Sequence, residues 1–263
     1  DLYDKWSAAH YESISPRKAT QYRTAYRVCS SLRPYYWDEI TLDMMQSAVN
    51  SAYNSYNPRK NIKLILHMME DYANINGYGE RHLTQYIKLP PRQSPNKKPF
   101  TQEEIRKLFD GWNAGDRWAG IILIMIFTGM RYGEISTIRE ENIHIEDSYM
   151  TGGIKTEHGK QGEILIIDAI KPIVQELMIP NSVRQISTTT FTRQFKACLQ
   201  RNGCEDHNSH ECRHTTATLL AEAGVNGMII KDVMRHSSYA QAEPYTHTSR
   251  RDKLQALEAM MHI

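Results

Sequence analysis

Cysteine is scarce in this sequence. The 263 residues hold four, Cys29, Cys198, Cys204 and Cys212, with no CxxC pair and no Cys/His spacing of zinc-finger type. That argues against a disulfide framework and a structural zinc site, and four unpatterned thiols suit structural roles in a reducing, intracellular setting. Long apolar runs are absent too. The longest, AGIILIMIF over residues 119–127, falls short of the roughly 18–20 residues that span a bilayer and reads as a buried helix. There is no secretory leader pattern, internal repeat or low-complexity tract. A P-loop and a carboxylate cluster of metal-site type are also missing, so no cofactor and no metal is expected. Net charge is only +2.

What charge there is sits unevenly. Up to Lys98, 14 basic residues stand against 9 acidic ones; from Pro99 onward, 18 stand against 21. A basic first third suits a polyanionic partner such as nucleic acid, and a solvated helical surface equally well. With 40% hydrophobic and 24% charged residues, the chain is an ordinary globular one, long enough for two domains. Residues 1 to about 86 read as all helix, a small four-helix unit. One segment, 16–32, has Ser15 as N-cap and Pro16 at its first position; another, 41–53, opens on the cap-like Thr41. A third, 57–74, spaces Ile62, Ile65, Leu66, Met69 and Tyr72 helically before Gly77 and Gly79. Residues 89–99, LPPRQSPNKKP, carry four prolines and read as an extended, basic linker. The expected organisation is a helical domain over 1–88, a linker over 89–99 and a second domain over 100–263.

Order resumes with Thr101 and Glu104, which make a capping box. A buried helix over 116–127 ends at Gly129, and a new one starts near Met130. Segments 143–145, 150–154 and 163–167 read as strands, the last two flanking a polar turn over 155–162. Helices follow over 169–178, 189–202, 210–223 and 227–235, then an amphipathic tail over 250–263 with Leu254, Leu257, Met260 and Met261. The fold class is mainly α with a small β-sheet.

Four segments of the second part carry chemistry. TGMRYGEI, residues 128–135, puts Arg131 just after the glycine break, at a helix N-terminus where backbone N–H groups and the dipole favour an anion. GIKTEHGK, residues 153–160, puts Lys155 at the mouth of a β-turn, with Lys160 as its rival in the same turn. SHECRHTTATLL, residues 209–220, opens with His210 and Arg213, three apart on one helix face. RHSSYAQAEPYTH, residues 235–247, supplies His236 and, nine residues on, Tyr245; Tyr239 and Tyr132 lack that spacing. On these residues the sequence closely resembles the tyrosine recombinase, or phage-type integrase, family. That family's pattern is an arginine in a TGxRxxE segment, a hairpin lysine, an HxxR pair, a histidine in an HSS-like segment and a tyrosine nine residues later. The resemblance covers about residues 98–247, and more loosely the helical first part, which is similar to the family's core-binding domain. Two positions depart from the pattern: Cys212 replaces a common leucine, and Arg235 stands where glycine is often found. Neither departure removes a chemical group.

The resemblance implies cleavage of a DNA phosphodiester without metal or ATP. The charge on the pentacoordinate transition state calls for permanent cations, and Arg131 and Arg213 suit that clamp. Tyr245 would be the nucleophile, giving a 3′-phosphotyrosine and a 5′-hydroxyl. Lys155 would be the general acid, His210 would assist proton transfer with Tyr245, and His236 would donate to the phosphate. Glu134 is expected to orient a neighbouring group, and His214 to be structural. The implied architecture is a helical core-binding domain and a mixed α/β catalytic domain closing as a C-shaped clamp on double-stranded DNA. Arg17, Lys18, Arg23, Lys60, Lys63, Lys97, Lys98 and Arg235 would make DNA contacts, mostly to phosphates. The implied partners are a homo-tetramer on synapsed DNA, formed by exchange of the C-terminal tail with a neighbour, and accessory DNA-bending proteins, with no membrane. The implied setting is the bacterial cytoplasm at the nucleoid, and the implied task is integration or excision of a prophage or conjugative transposon. The start at Asp1 rather than Met leaves room for a preceding arm-binding domain. A Xer-like chromosome-resolving recombinase, a type IB topoisomerase and a non-catalytic DNA-binding protein remain open alternatives.

Overall fold

Two separate sets of apolar residues build two separate cores. A computed structural model describes residues 2–52, 55–92, 98–152, 163–179, 186–235 and 249–261. The chain divides into two compact units, Asp1–Pro95 and Asn96–Ile263. The division falls inside the proline-rich segment 89–99.

The first unit comprises α1 (Leu2–Tyr11), α2 (Pro16–Val28), α3 (Leu42–Asn50) and α4 (Tyr56–Ile75) among the described residues. Local chemistry starts two of them: Ser15 accepts from the Lys18 N–H, and Thr41 accepts from the Met44 N–H. Trp6, Tyr22, Met45, Val49, Ile62, Ile65 and Leu66 close the core. The four-helix reading of 1–86 holds, with the helices joined by non-helical stretches. Residues 33–41 and 76–83 are not helical, and 29–32 tightens into a 3-10 turn. Long-range polar contacts shape both stretches. Arg81 donates to the carbonyls of Trp37 (2.5 Å) and Ile40. The Glu70 carboxylate, 1% exposed, accepts from the Leu83 and Thr84 N–H groups. No local periodicity encodes such pairings.

The second unit opens with α5 (Gln102–Asn113), α6 (Arg117–Thr128) and the single turn α7 (Tyr132–Ile135). Strands β1 (Ile143–His144), β2 (Tyr149–Thr151) and β3 (Glu163–Leu165) form an antiparallel sheet in that order, with Ile143 opposite Met150 and Met150 opposite Ile164. Helices α8 (Lys171–Met178), α9 (Thr188–Arg201), α10 (Ser209–Glu222), α11 (Gly227–Val233) and α12 (Arg250–Ala259) follow. The Thr101–Glu104 capping box is present, with Glu104 Oε2 accepting the Thr101 N–H at 2.8 Å.

Helix α6 is the hub of this unit. Every residue from Ala119 to Thr128 is buried, and α5, α8, α9 and α10 pack around it. Asp116 caps its start and also grips Arg201 and Asn202 of the α9 end. Helix α12 packs on its own unit: Leu257 and Met260 are each 1% exposed within the second core, and Arg250 pairs with Glu163. Within this single chain, Leu257 and Met260 of the stripe expected to seat on a neighbour pack against α10, α11 and β3, while Met261 stays 41% exposed. All four cysteines are free, and burial pushes the Cys29 and Cys198 thiols up to about 12. Among the described residues, no helix is long and apolar enough to cross a membrane.

Gly120 reports on how tightly the hub is packed. A Cβ there would lie 2.6 Å from Trp112, 2.8 Å from Ile173 and 2.9 Å from Leu177. Gly120→Ala should therefore cost about 1–3 kcal/mol by overpacking. Gly227→Ala, with nothing within 4 Å, should stay within about 0.5 kcal/mol of the parent. Urea unfolding monitored by circular dichroism measures both.

Candidate active site

The site begins where α6 stops. Gly129 adopts φ +64°, and a Cβ on it would lie 3.2 Å from Met234 Sδ. The chain turns through buried Met130 and presents Arg131 at the cap of α7. Helix α7 is one turn long, so the expected dipole of a helix N-terminus contributes little. A carboxylate fixes the arginine instead. Glu134, 6% exposed, accepts the Arg131 backbone N–H at Oε2 (3.0 Å) and its Nη1 at Oε1 (2.9 Å). Arg131's side chain stays 48% exposed and can still meet a ligand.

Arg213 lies one turn into α10. Asn208 caps that helix, accepting the His210 N–H at 2.9 Å, and Glu211 returns a bond to the Asn208 N–H at 3.1 Å. Thr216 fastens α10 to the Ile126 carbonyl of α6 at 2.6 Å. The predicted shared face of His210 and Arg213 separates by depth: His210 is exposed, whereas Arg213 is 5% exposed. The Arg213 guanidinium donates from Nη1 to the Gly129 carbonyl (2.6 Å) and from Nη2 to the Met234 carbonyl. It thereby joins the segment leading into Arg131 to the segment leading into Arg235. Burial, with repulsion from Arg131 and Arg235 and some relief from Glu134, pulls this guanidinium down to about 10; it remains a cation at neutral pH. Arg235 itself turns inward, its Nη2 donating to Glu134 Oε2 at 3.2 Å. Three guanidinium groups thus gather around one buried carboxylate, a layout suited to an anion with several acceptor oxygens.

Residues 98–251 match the phage integrase family. The chain belongs to this family. It is 24% identical over 221 residues to the tyrosine recombinase XerA of Pyrococcus furiosus, covering 76% of this chain and 73% of that protein. Among solved structures, the Tn1549 transposon integrase in complex with a circular intermediate DNA superposes with a TM-score of 0.75 at 15% identity, over 97% of this chain and 96% of that one. A lambda integrase tetramer bound to a Holliday junction gives 0.72 at 16% identity, over 93% and 79%. At such identities the structural likeness shows the fold.

Arg131, Lys155, His210, Arg213, Arg235, His236 and Tyr245 all lie within the integrase match. Lys155, His236 and Tyr245, their rivals Lys160 and Tyr239, and Lys97 lie outside the described residues. The Tyr132 hydroxyl donates to the Ile186 carbonyl at 2.8 Å, and its ring stacks on Phe191. The expected DNA-contacting cations differ in their freedom. Arg17, Arg23 and Lys60 are exposed. Lys18 lies over the Tyr22 ring. Lys63 donates to the carbonyls of Gln85 and Ile87, which makes it an internal strut, and Lys98 pairs with Glu205 at 2.9 Å.

One cluster was not read from the sequence. His207, 2% exposed, lies between Glu211 (Nδ1 to Oε2, 3.0 Å) and Glu104 (Nε2 to Oε1, 3.1 Å), and stacks on Phe100. Both glutamates are capping-box residues, so the histidine joins the start of α5 to the start of the helix carrying Arg213. The Asn208–Glu211 spacing was the available signal. Burial alone would raise the Glu104 carboxyl, but bonds from the Thr101 and Glu205 N–H groups and from His207 outweigh it and hold it below the ordinary range. A depressed carboxylate stabilises the fold above its unfolded pKa, about 4.3, and that contribution disappears as pH falls through the folded value. Acid titration of the melting midpoint should show this loss below about pH 4.3, and Glu104→Gln should flatten that segment of the curve.

Proposed function

We propose that this protein is a site-specific recombinase that cuts and reseals double-stranded DNA through a 3′-phosphotyrosine on Tyr245. The observation that carries the reading is the Arg213 fork, which gathers Arg131 and Arg235 at one place in a chain of the integrase family. The Tyr245 oxygen bonds to phosphorus while the bond from phosphorus to the 5′ oxygen breaks. Lys155 gives that leaving oxygen a proton, and His210 takes part in removing the tyrosine proton. Arg131 and Arg213 neutralise the non-bridging oxygens, and His236 donates to one of them. The phosphotyrosine conserves the energy of the broken bond, so resealing by the 5′-hydroxyl reverses the same step.

Residues 1–88 act as a core-binding domain and 100–263 as the catalytic domain, joined by 89–99. Arg17, Arg23 and Lys60 are the exposed cations that contact phosphates, with Lys18, Lys97 and Lys98 adding to that surface. Exchange at two sites uses four protomers, as in the lambda integrase tetramer on its junction. Exchange of α12 between protomers requires Leu257 and Met260 to leave their own core first. The protein works in the bacterial cytoplasm, and its substrate is the end of a prophage or conjugative transposon. The name of the P. furiosus relative favours a second reading, a Xer-type chromosome-resolving recombinase, with the same chemistry. Assaying a mobile-element end against a chromosomal resolution site separates the two.

Covalent trapping tests the chemistry. A nicked suicide duplex carrying the crossover site, incubated without metal or ATP, should give an adduct that survives a denaturing gel and is lost in Tyr245→Phe. Arg213→Ala should slow adduct formation about 100- to 1,000-fold. An adduct retained by Tyr245→Phe would reassign the nucleophile, and no adduct on a bound site would favour a binding-only protein.

A further inference from the structure

Arg235 occupies a backbone position that an arginine rarely takes. Its φ is +49°, where an L side chain crowds the next carbonyl and glycine is the ordinary occupant. An outlier of this kind persists only where its surroundings hold it, and it directs attention to function. The residue just before it is held: the Met234 carbonyl accepts from Arg213. The side chain is then carried inward to 11% exposure, with Nη2 on Glu134. Its Nη1 is buried and has no hydrogen-bond partner among the described residues. A buried guanidinium N–H without an acceptor is costly. The group is complete only when an acceptor arrives.

The charges point to what that acceptor is. Glu134 already serves Arg131 and Arg235 together. Arg131, Arg213 and Arg235 carry three positive charges against its single negative one, leaving two unbalanced. A phosphodiester attacked by a tyrosinate passes through a pentacoordinate state with two negative charges. Among the permanent cations, Arg131 and Arg213 with Glu134 leave one positive charge to meet it, and Arg235 supplies a second. The lowered pKa values of Arg213 and Arg235, caused first by burial and then in part by Arg131, agree with guanidinium groups gathered in one place.

Resting on the recombinase reading above, we propose that Arg235 is a third phosphate-binding arginine of the active site, donating from Nη1 to a non-bridging oxygen of the phosphodiester that Arg131 and Arg213 address, while Glu134 holds its Nη2. It is a catalytic residue, because it touches the reacting phosphate. This differs from a general backbone contact elsewhere on the duplex and from a strut that merely steadies Glu134.

The test uses two nicked suicide duplexes that differ in one group. In one the scissile linkage is an ordinary phosphodiester; in the other it is a methylphosphonate, which lacks the negative charge. Arg235→Gly removes the guanidinium and suits the left-handed backbone; Arg235→Asn is a second uncharged variant that tolerates it. Both should melt no lower than the parent. On the phosphodiester both should cleave about 100-fold or more slowly, and on the methylphosphonate they should return to within about tenfold of the parent. Cleavage of the phosphodiester within about threefold of the parent would overturn the proposal. So would a defect equally deep on both duplexes, which is the mark of a strut, or failure of both variants to fold. The parent and Tyr245→Phe run alongside. If the parent forms no adduct, the recombinase reading itself fails; if it forms one that Tyr245→Phe loses, any contrary result with the Arg235 variants falls on Arg235 alone.

Discussion

One buried guanidinium holds the candidate site together. Arg213 reaches from α10 to two backbone carbonyls, at Gly129 and Met234, that belong to segments far apart in sequence. The planar fork of an arginine can bind two acceptors at fixed separation, which a lysine cannot. Its burial makes the arrangement demanding, because a desolvated cation must keep its acceptors. Gly129 meets that demand by turning left-handed at the end of α6, with its carbonyl aimed at the fork. The apolar hub of α6 holds Gly129 in turn. Arg213 therefore sets where Arg131 and Arg235 emerge.

Three glutamates link the helix starts to the tertiary structure. Glu104, Glu134 and Glu211 each accept a bond from the backbone N–H three residues earlier, which is a local capping task. Each also reaches outward: Glu104 to His207 and the Glu205 N–H, Glu211 to His207, and Glu134 to Arg235. A capping carboxylate has spare lone pairs once its N–H is satisfied. Here those lone pairs carry the contacts between elements, so the helix ends and the site geometry are fixed by the same groups.

The basic residues divide by the same logic. Arg81 and Lys63 spend their donors on carbonyls of their own unit, Arg213 is buried, and the Arg235 side chain is turned in to 11% exposure. Arg17, Arg23 and Lys60 remain on the surface. A count of cations along the chain therefore overstates the positive surface available to a polyanion, since part of that charge is internal scaffolding.

Much of this was determined by the sequence alone. Caps at Ser15, Thr41 and Thr101, the buried run of α6, the Gly129 break and the start of α10 follow from local chemistry, because each depends on residues within a turn or two. The order and spacing of Arg131, His210 and Arg213 pointed to the family that residues 98–251 match. Tertiary structure decided the rest. Glu70 and Arg81 shape the non-helical stretches of the first unit through partners 13 to 44 residues away. His207 finds Glu104 across 103 positions. The tail's apolar stripe reads as amphipathic, and its contacts with α10, α11 and β3 depend on surfaces that sequence periodicity does not reveal. Arg235 looks like one more surface cation until its positive φ and its bond to Glu134 turn it inward. Periodicity and capping act over one or two turns, whereas these pairings depend on which distant segments the core brings together.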